Sequence, residues 1–345
     1  MKEINLFITG LGNVGNELLS LIHNYVSSKK IKVIGISNSK KMVFVDKGID
    51  ISRWKILLMN GEKNNRKEFL KKTINYKFIN SVFVDNTASE IISNEYENYL
   101  NEGISVVTCN KIACSSRLEI FNSLKKNSKK NNASFLYETT VGSSLPVLKT
   151  LNDLILSNKK IESVKAILSG SLNYIFNNFK SENSFHKLIE KAKDLGLTEP
   201  NPHVDLSGTD VARKLLIISR ESGFQTEIND IEIKSFMPQN EYKNSSLLPT
   251  FYNYLEKNKN HFNQLLVRSI NNNTRLKHTA ELFSNGKGII SLNEIEKDHE
   301  FYDINDEDNI VLIYTKSNKS PITIKGPGAG SKTTAMGILN DIIKI

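Results

Sequence analysis

The first residues of the chain constrain its fold most strongly. An apolar, β-rich run, Ile4–Thr9, leads into Gly10, Gly12 and Gly15, and the amphipathic stretch Asn16–Ser27 follows. Between a strand and a helix, the first glycine permits a tight turn, the second lets the backbone approach a pyrophosphate, and the third allows close helix–sheet packing. The helix N-terminus adds N–H donors for the anion. This pattern favours a dinucleotide site over an ordinary glycine turn.

The rest of the first half alternates apolar runs with amphipathic stretches, as is typical of a parallel sheet covered by crossover helices. The predicted strands are Ile4–Thr9, Ile31–Ser37, Ser81–Asn86, Ser105–Thr108 and Ser134–Tyr137. The predicted helices are Asn16–Ser27, Ser93–Asn101 and Arg117–Asn131. A cluster of Gly, Ser and Pro near Thr140–Pro146 then interrupts this alternation and indicates a domain boundary. We therefore predict an α/β fold, with a Rossmann-type doubly wound parallel sheet over 1–140 as the NAD(P)-binding domain.

The second half has the pattern of an α+β domain, which we expect over 141–320 as a substrate-binding and dimerisation domain. The predicted helices are Leu148–Leu156, Phe185–Leu195 and Thr209–Ser222. The predicted strands are Val164–Leu168, Gln264–Ile270, Thr279–Phe283 and Gly288–Glu294. The Asn- and Lys-rich stretch Asn240–Asn260 suggests a loosely ordered surface. Residues 321–345 read as a strand, Ile322–Lys325, then a glycine loop and a helix that return to the nucleotide domain.

Composition excludes several function classes. The net charge is +9, but the basic residues are scattered, so no nucleic-acid partner is expected. Two cysteines cannot form a disulfide scaffold and fit a reducing compartment. The N-terminus lacks the pattern of a cleavable signal, and no apolar run reaches about 18 residues. We therefore expect a cytoplasmic protein with no membrane partner.

The end of the second predicted strand bears on the choice of cofactor. NAD-preferring sites usually place Asp or Glu there to hold the ribose hydroxyls. Here Ser39 and Lys40 follow instead, where a 2′-phosphate would lie, so NADP is favoured and NAD remains possible. At another strand end, Thr87 and Ala88 are predicted neighbours of the nicotinamide. The late glycine loop ending at Gly330 lacks the adjacent Gly-Lys of a Walker motif, and a close turn against the cofactor suits it better.

A loop with two prolines and a glycine holds the densest polar cluster of the second half and leads into a helix. Asp210 and Lys214 are four residues apart on that helix and share one face. Spacing alone favours a capping box of Ser207 with Asp210 and an ordinary surface ion pair. Chemistry offers a second interpretation, because reducing an aldehyde requires a proton for the oxygen, which a lysine held by an aspartate can deliver. Glu199 and Asp205 would suit the ammonium group of an amino-acid substrate.

The run from Ala192 to Lys214 resembles the signature of homoserine dehydrogenases. The resemblance extends over nearly the whole chain, through G-L-G-N-V-G at 10–15, V-T-C-N-K at 107–111, Y-E-T-T-V-G at 137–142, L-S-G-S-L-N-Y-I at 168–175 and the closing G-P-G-A-G. It implies a reversible, NAD(P)H-dependent reduction of L-aspartate 4-semialdehyde to L-homoserine in threonine, methionine and isoleucine biosynthesis. It also implies a homodimer that forms through the sheet of the second domain.

The resemblance carries roles over position by position. Lys214 would donate and accept the proton with Asp210 as its partner in substrate binding, Glu199 and Asp205 would line the substrate pocket, and Lys111 would act between cofactor and substrate. The implied nucleotide contacts are Gly10, Asn13, Val14, Thr87, Lys111 and Gly330. A monovalent cation such as sodium would bind at Glu138, Val141, Ser143 and Leu145. At Asn201, His203 and Val204 many relatives have more charged residues, which puts the details of substrate affinity in doubt.

Other interpretations remain open at this point. Cys109 or Cys114 would be the nucleophile if the chain were a thiol-dependent semialdehyde dehydrogenase. A protein that senses NADP without turnover would keep the Rossmann opening but would not need the acidic residues and the lysine. The chain starts at Met1 with no kinase segment ahead, which predicts a monofunctional enzyme, although it also fits an excised part of a fused aspartate kinase.

Overall fold

The computed structural model describes residues 3–25, 30–76, 78–182, 184–238, 248–305 and 307–345. The chain divides into two compact units, Met1–Leu145 with Gly330–Ile345, and Pro146–Ala329. Each unit has its own sheet. Within the described ranges, no helix is long and apolar enough to cross a membrane.

The first unit contains a seven-stranded sheet. Its strands are β1 (Glu3–Thr9), β2 (Lys30–Ser37), β3 (Lys41–Phe44), β4 (Glu62–Lys63), β5 (Ser81–Asp85), β6 (Ser105–Thr108) and β7 (Phe135–Leu136). Its helices before the chain enters the second unit are α1 (Asn13–His23), α2 (Trp54–Met59), α3 (Arg66–Asn75), α4 (Glu90–Ser93), α5 (Tyr96–Asn101), α6 (Lys111–Cys114) and α7 (Leu118–Lys130).

The strand order in this sheet is β4-β3-β2-β1-β5-β6-β7. The five strands from β2 to β7 in that order are parallel, because β1 pairs in parallel with both β2 and β5, and β5, β6 and β7 continue the pattern. The predicted Rossmann-type sheet is therefore confirmed. Strands β2 and β5 lie on opposite sides of β1, so the strand order reverses there. Open α/β sheets bind ligands at such a switch point, outside the carboxyl ends of the strands.

Some details of the first unit differ from the prediction. The antiparallel strands β3 and β4 extend the sheet beyond β2 and were not predicted. The predicted helix Ser93–Asn101 is two short helices, α4 and α5. Helix α1 begins at Asn13, three residues earlier than predicted, and the predicted end at Ser27 lies outside the described residues.

The second unit contains a six-stranded sheet with the order β13-β12-β8-β10-β11-β9. Its strands are β8 (Ile161–Ile167), β9 (Ile231–Ile233), β10 (Arg275–Leu282), β11 (Gly288–Ile295), β12 (Asp308–Thr315) and β13 (Ile322–Pro327). Its helices are α8 (Val147–Leu156), α9 (Gly170–Asn178), α10 (Phe185–Asp194), α11 (His203–Leu206), α12 (Thr209–Glu221), α13 (Leu248–Lys257) and α14 (Lys259–Asn271). Only the β9–β11 pair of this sheet is parallel among the described strands.

Two predictions for the second unit are wrong. The predicted strand Gln264–Ile270 lies within helix α14, where Phe262, Leu266 and Ser269 are buried at helical spacing. The stretch Asn240–Asn260 is not a loose surface throughout, because α13 buries Phe251, Tyr254 and Leu255; its residues 240–247 lie outside the described ranges.

The C-terminal segment is divided between the two units. Strand β13 pairs with β12 in the second sheet, so the predicted return of the whole segment 321–345 to the first unit is wrong. Only the last helix, α15 (Ser331–Ile342), belongs to the first unit, where its apolar side packs against α1. The contact boundary between the units falls at Leu145, five residues beyond the predicted one.

Candidate active site

The three glycines of the loop at the end of β1 have different surroundings. A Cβ on Gly15 would lie 2.1 Å from the Gly10 carbonyl oxygen, and a Cβ on Gly10 would lie 2.7 Å from Thr87 Cγ2. Gly10 also has a φ of +90°, which favours glycine. A Cβ on Gly12, in contrast, would meet no atom of the described residues within 4 Å. Two glycines are therefore needed by the loop itself, while the third keeps open space beside the backbone.

That open space lies at the start of α1. Gly12 is the residue before the helix and has no side chain to cap the backbone N–H groups of the first turn. Gly12 and Asn13 are exposed, and Val14 is half-buried. The arrangement suits the pyrophosphate of a dinucleotide.

Asn86, just after β5, was not predicted as a site residue. Both polar atoms of its side-chain amide are buried and have no hydrogen-bond partner in the described structure, and its Nδ2 lies 3.3 Å from where a Cβ on Gly15 would be. A buried amide without partners is costly. Both atoms are closed to water, so a ligand could contact them only after the side chain moves. Only its place at the strand end would have indicated it from sequence.

The turn between β2 and β3 carries the residues predicted to face a 2′-phosphate. The Asn38 carboxamide oxygen accepts hydrogen bonds from the backbone N–H groups of Lys40 and Lys41, each at 2.8 Å. Ser39 and Lys40 are exposed at this turn. The Lys41 ammonium instead donates to the Gly61 carbonyl oxygen at 2.8 Å. Lys40 is therefore the lysine of this pair that is oriented toward solvent at the strand end.

The ends of β5 and β6 place the residues predicted near the nicotinamide. Thr87 donates its backbone N–H to Asp85 Oδ1 at 2.8 Å, and Ala88 is exposed. Lys111 is the first residue of α6, whose N-terminus is capped by the Asn110 side chain through the N–H of Ile112 at 3.0 Å. Because β5 and β6 are parallel neighbours, both groups lie at the same edge of the sheet.

The two cysteines do not have the environment of a nucleophile. Burial raises the pKa of the Cys109 thiol to about 12, and the nearby Asp85 carboxylate adds to this. Cys114 is fully buried in the core. A catalytic thiol requires a lowered pKa, because the thiolate is the reactive form. The structure therefore does not support a thiol-dependent reaction.

In the second unit, Lys214 on α12 is held in one position. Its ammonium donates to the Leu168 carbonyl oxygen at 2.7 Å and lies 2.9 Å from Asp210 Oδ2. The Lys214 side chain is only 12% exposed. An ammonium has three N–H groups, and these acceptors take two of them. The structure thus brings together the two residues predicted to share a helix face.

The capping box predicted for this segment is absent. Helix α12 begins after Gly208, a residue with a φ of +73°, and no side chain caps it, so the capping box of Ser207 with Asp210 does not form. The Ser207 hydroxyl instead accepts from the Thr209 N–H at 3.2 Å. The Lys214 side chain is 12% exposed and that of Asp210 is 44% exposed, so the pair lies at the edge of the surface with its lysine mostly buried.

Asp205 connects the loop to helix α9. Its Oδ1 accepts from the Ser171 hydroxyl at 2.9 Å, and its Oδ2 accepts from the backbone N–H of Glu199 at 2.9 Å. Burial raises the pKa of Asp205 despite these bonds. The Glu199 side chain is exposed. Asp205 therefore fixes the loop that presents Glu199.

His278 on β10 is buried beside Gly208, and burial lowers its pKa to about 4. Its neutral form is favoured in the folded state, whereas in the unfolded state it takes up a proton below its ordinary pKa of about 6.5. The free energy of unfolding therefore decreases as pH falls from about 6.5 toward 4. We expect the Tm, measured by circular dichroism, to fall by several degrees between pH 7 and pH 5. In His278→Asn the fall should be smaller; an equal fall would assign the effect to other groups.

Comparison with known proteins identifies the family. One family model, described as homoserine dehydrogenase, matches residues 146–343, and a second, described as the NAD-binding domain of homoserine dehydrogenase, matches 10–138. A homoserine dehydrogenase from Schizosaccharomyces pombe is 32% identical over 360 residues, covering 99% of this chain and 95% of that protein. The chain belongs to the homoserine dehydrogenase family. The resemblance drawn from the sequence and the predicted NAD-binding domain are confirmed.

Other similar proteins include longer bifunctional enzymes and solved structures. A bifunctional aspartokinase/homoserine dehydrogenase from Arabidopsis thaliana is 36% identical over 348 residues, covering 98% of this chain and 38% of that protein. The chain thus spans about two fifths of the length of such bifunctional relatives. A crystal structure of a Candida auris protein of unknown function has a TM-score of 0.93 and 32% identity, covering 100% of this chain and 98% of that one. A hyperthermophilic archaeal homoserine dehydrogenase in complex with NADPH shares the fold, with a TM-score of 0.76, 23% identity and coverage of 99% and 97%.

The residues predicted to bind a monovalent cation lie in segment 138–145 of the first unit. Glu138 belongs to a short 3₁₀ helix, Val141 follows it, and Leu145 donates its N–H to the Gly142 carbonyl oxygen at 3.0 Å. Ser143 has a φ of +57° and donates its hydroxyl to Thr333 Oγ1 at 3.0 Å. The cation site itself stays a prediction.

Proposed function

We propose that this chain catalyses the reversible, NAD(P)H-dependent reduction of L-aspartate 4-semialdehyde to L-homoserine. The observation that carries the proposal is the Lys214 ammonium, held between Asp210 and the Leu168 carbonyl oxygen in a mostly buried position. Membership of the homoserine dehydrogenase family supports it. Initial rates of homoserine oxidation with NADP and with NAD, followed through the absorbance of the reduced nicotinamide, test it. Nucleotide binding without turnover would favour a sensor instead.

The residues of the first unit fit a nicotinamide dinucleotide. The loop from Gly10 to Gly15, with Asn13 and Val14 at the start of α1, would hold the pyrophosphate, and Thr87 and Ala88 would contact the nicotinamide half. Gly330, with a φ of +118° before α15, would approach the cofactor through its backbone. When bound, the cofactor supplies the hydride to the aldehyde carbon, or accepts it in the reverse direction.

The chain's own residues handle the proton and the charges. Reduction places two electrons on the aldehyde carbon with the hydride, and the oxygen then takes one proton, which Lys214 Nζ donates. In the reverse direction the neutral lysine accepts the proton from the homoserine hydroxyl. Asp210 holds the ammonium in position and takes part in binding the substrate. Asp205 and Glu199 bind the substrate's ammonium group, since carboxylates are its natural partners.

Lys111 is proposed as the second cationic group of the reaction. It begins α6 at the carboxyl end of β6, next to the loop after β5 that contains Thr87. Its ammonium would stabilise the negative charge that develops on the substrate oxygen. This role follows from the family resemblance and from its place at the cofactor end of the sheet.

NADP is the proposed cofactor, with NAD as a weaker substitute. Ser39 and Lys40 are exposed at the end of β2, where an NAD site would have an acidic residue. We expect Lys40→Ala to raise the KM for NADP by about tenfold, through loss of one charge-assisted bond to the 2′-phosphate, and to leave the KM for NAD within about twofold. Initial-rate kinetics with both cofactors measure this. Lys47→Ala, at another exposed lysine, is the matched control; an equal change for both cofactors would contradict the assignment.

The remaining parts of the proposal concern assembly, the cation and location. A homodimer is proposed through the second unit's sheet, and light scattering of the purified chain would measure its mass. Glu138, Val141, Ser143 and Leu145 are proposed as the sodium site, which activity in sodium against choline salts would test. A cytoplasmic location is the last part of the proposal.

A further inference from the structure

A buried carboxylate lies beneath the cofactor end of the first sheet. Asp85, the last residue of β5, is fully buried. Taking a carboxylate out of water is costly unless donors surround it, so its presence there needs an explanation. Burial raises its pKa, while hydrogen bonds from Tyr96, Thr87 and Asn110 act in the opposite direction.

Each oxygen of Asp85 connects to a different part of the site. Oδ1 accepts from the Thr87 backbone N–H at 2.8 Å. Oδ2 accepts from the Tyr96 hydroxyl at 2.5 Å and from Asn110 Nδ2 at 3.0 Å. The Tyr96 hydroxyl also lies 2.8 Å from Thr108 Oγ1, at the end of β6. One carboxylate thus connects the ends of β5 and β6, the loop after β5, and helix α5.

Asn110 carries this connection to Lys111. Its Nδ2 donates to Asp85 Oδ2 and to the Ser89 carbonyl oxygen, both at 3.0 Å, while its Oδ1 caps α6 through the Ile112 N–H at 3.0 Å. Helix α6 has four residues, and a helix of one turn has little stability of its own. Its position therefore depends on the burial of Ala113 and Cys114 and on the cap, which orients its first residue, Lys111. The cap is in turn oriented by Asp85.

We propose that Asp85 is a positioning residue, which fixes the Thr87 loop directly and fixes Lys111 through Asn110. The proposal rests on the proposed function, which gives Lys111 a part in the reaction. Asp85 does not touch the substrate. It acts by holding two elements of the site in one geometry, as fully satisfied buried polar networks do.

The test uses Asp85→Asn, which keeps the size of the side chain and the acceptor for Thr87. Its new amide group faces the donor of Asn110, so the bond that orients α6 is lost. We expect kcat to fall about tenfold to a hundredfold, because small displacements of a reacting group have effects of that size. NADPH affinity, measured by fluorescence titration, should stay within about threefold, since the Thr87 bond remains. Asn110→Ala should show the same pattern.

Two further variants distinguish positioning from a general structural role. In the Lys111→Ala background, Asp85→Asn should change kcat by less than about twofold, because the residue through which it acts is gone. In the exchange Asp85→Asn with Asn110→Asp, the new amide can donate to the new carboxylate, which still caps Ile112. The bond to the Ser89 carbonyl oxygen is lost, so kcat should recover only in part, to above that of Asp85→Asn alone. Asn65→Ala, which removes the cap of α3, is the matched control and should leave kcat unchanged.

The outcomes separate this proposal from the proposed function. A wild-type kcat in both Asp85→Asn and Asn110→Ala would overturn the positioning role of Asp85. The same holds if Asp85→Asn lowers kcat by the same factor in the wild-type and in the Lys111→Ala background. If Asp85→Asn does not fold, Asn110→Ala gives the same comparison with the carboxylate in place. A failure of the proposed function is visible earlier, as a wild-type protein that oxidises no homoserine or a Lys111→Ala variant with the full rate.

Discussion

Replacing Lys214 by alanine is expected to lower kcat for homoserine oxidation by about 100- to 10,000-fold, because the group proposed to take the proton from the hydroxyl is removed. NADPH affinity, measured by fluorescence titration, should stay within about twofold, since the residues proposed to bind the nucleotide belong to the glycine loop and strand ends of the first unit. Lys214 is close to both Asp210 and the Leu168 carbonyl oxygen, so alanine removes the proton carrier and leaves that carbonyl without this donor. A moderate loss of Tm should accompany the kinetic effect.

Two variants make this result interpretable. Lys187→Ala, at an exposed lysine on α10, removes the same atoms from a surface position and should keep the full kcat. Asp210→Asn keeps a polar partner for Lys214 and should cause a smaller fall than Lys214→Ala. An unchanged kcat in Lys214→Ala would show that another residue handles the proton, and the assignment of the reaction to this segment would fail.

The first unit could be predicted well because its signals are local. The order of strand, glycine loop and helix at 4–27 determines both the fold and the cofactor class, and the apolar runs that become β5 and β6 are buried on both faces. The hairpin of β2 and β3 was missed because its turn, Asn38 to Lys40, has no glycine and depends on the Asn38 side chain. Asn86 was missed because an unpaired buried amide is visible only in three dimensions.

The second unit was predicted less well because its signals are not local. The run Gln264–Ile270 is apolar enough for a strand, and only the packing of Phe262 and Leu266 into the core shows that it is helical. Strand β12 was overlooked although Ile310–Ile313 is buried in the sheet between β8 and β13. For Asp210 and Lys214, spacing favoured a surface pair. The decisive fact, the Leu168 carbonyl oxygen 46 residues away in sequence, comes from the fold.

The second large effect is expected from Gly12→Ala, which should weaken NADPH binding by about a hundredfold or more, equivalent to about 3 kcal/mol. A Cβ on Gly12 would meet no protein atom within 4 Å, so the variant should fold with an unchanged Tm. The new methyl group would instead occupy the space through which a pyrophosphate approaches the first turn of α1. Fluorescence titration with NADPH and thermal unfolding without it measure the two effects separately.

Gly15→Ala is the matched variant, three residues along the same loop. Its Cβ would lie 2.1 Å from the Gly10 carbonyl oxygen, so the loop itself must move and the Tm should fall even without nucleotide. Each variant thus adds one methyl group to the same loop. In Gly12→Ala the methyl group faces the open space, and in Gly15→Ala it faces the protein. If Gly12→Ala bound NADPH as tightly as the wild type, the open space at α1 would not be the pyrophosphate site, and the cofactor would have to be held elsewhere on the strand ends.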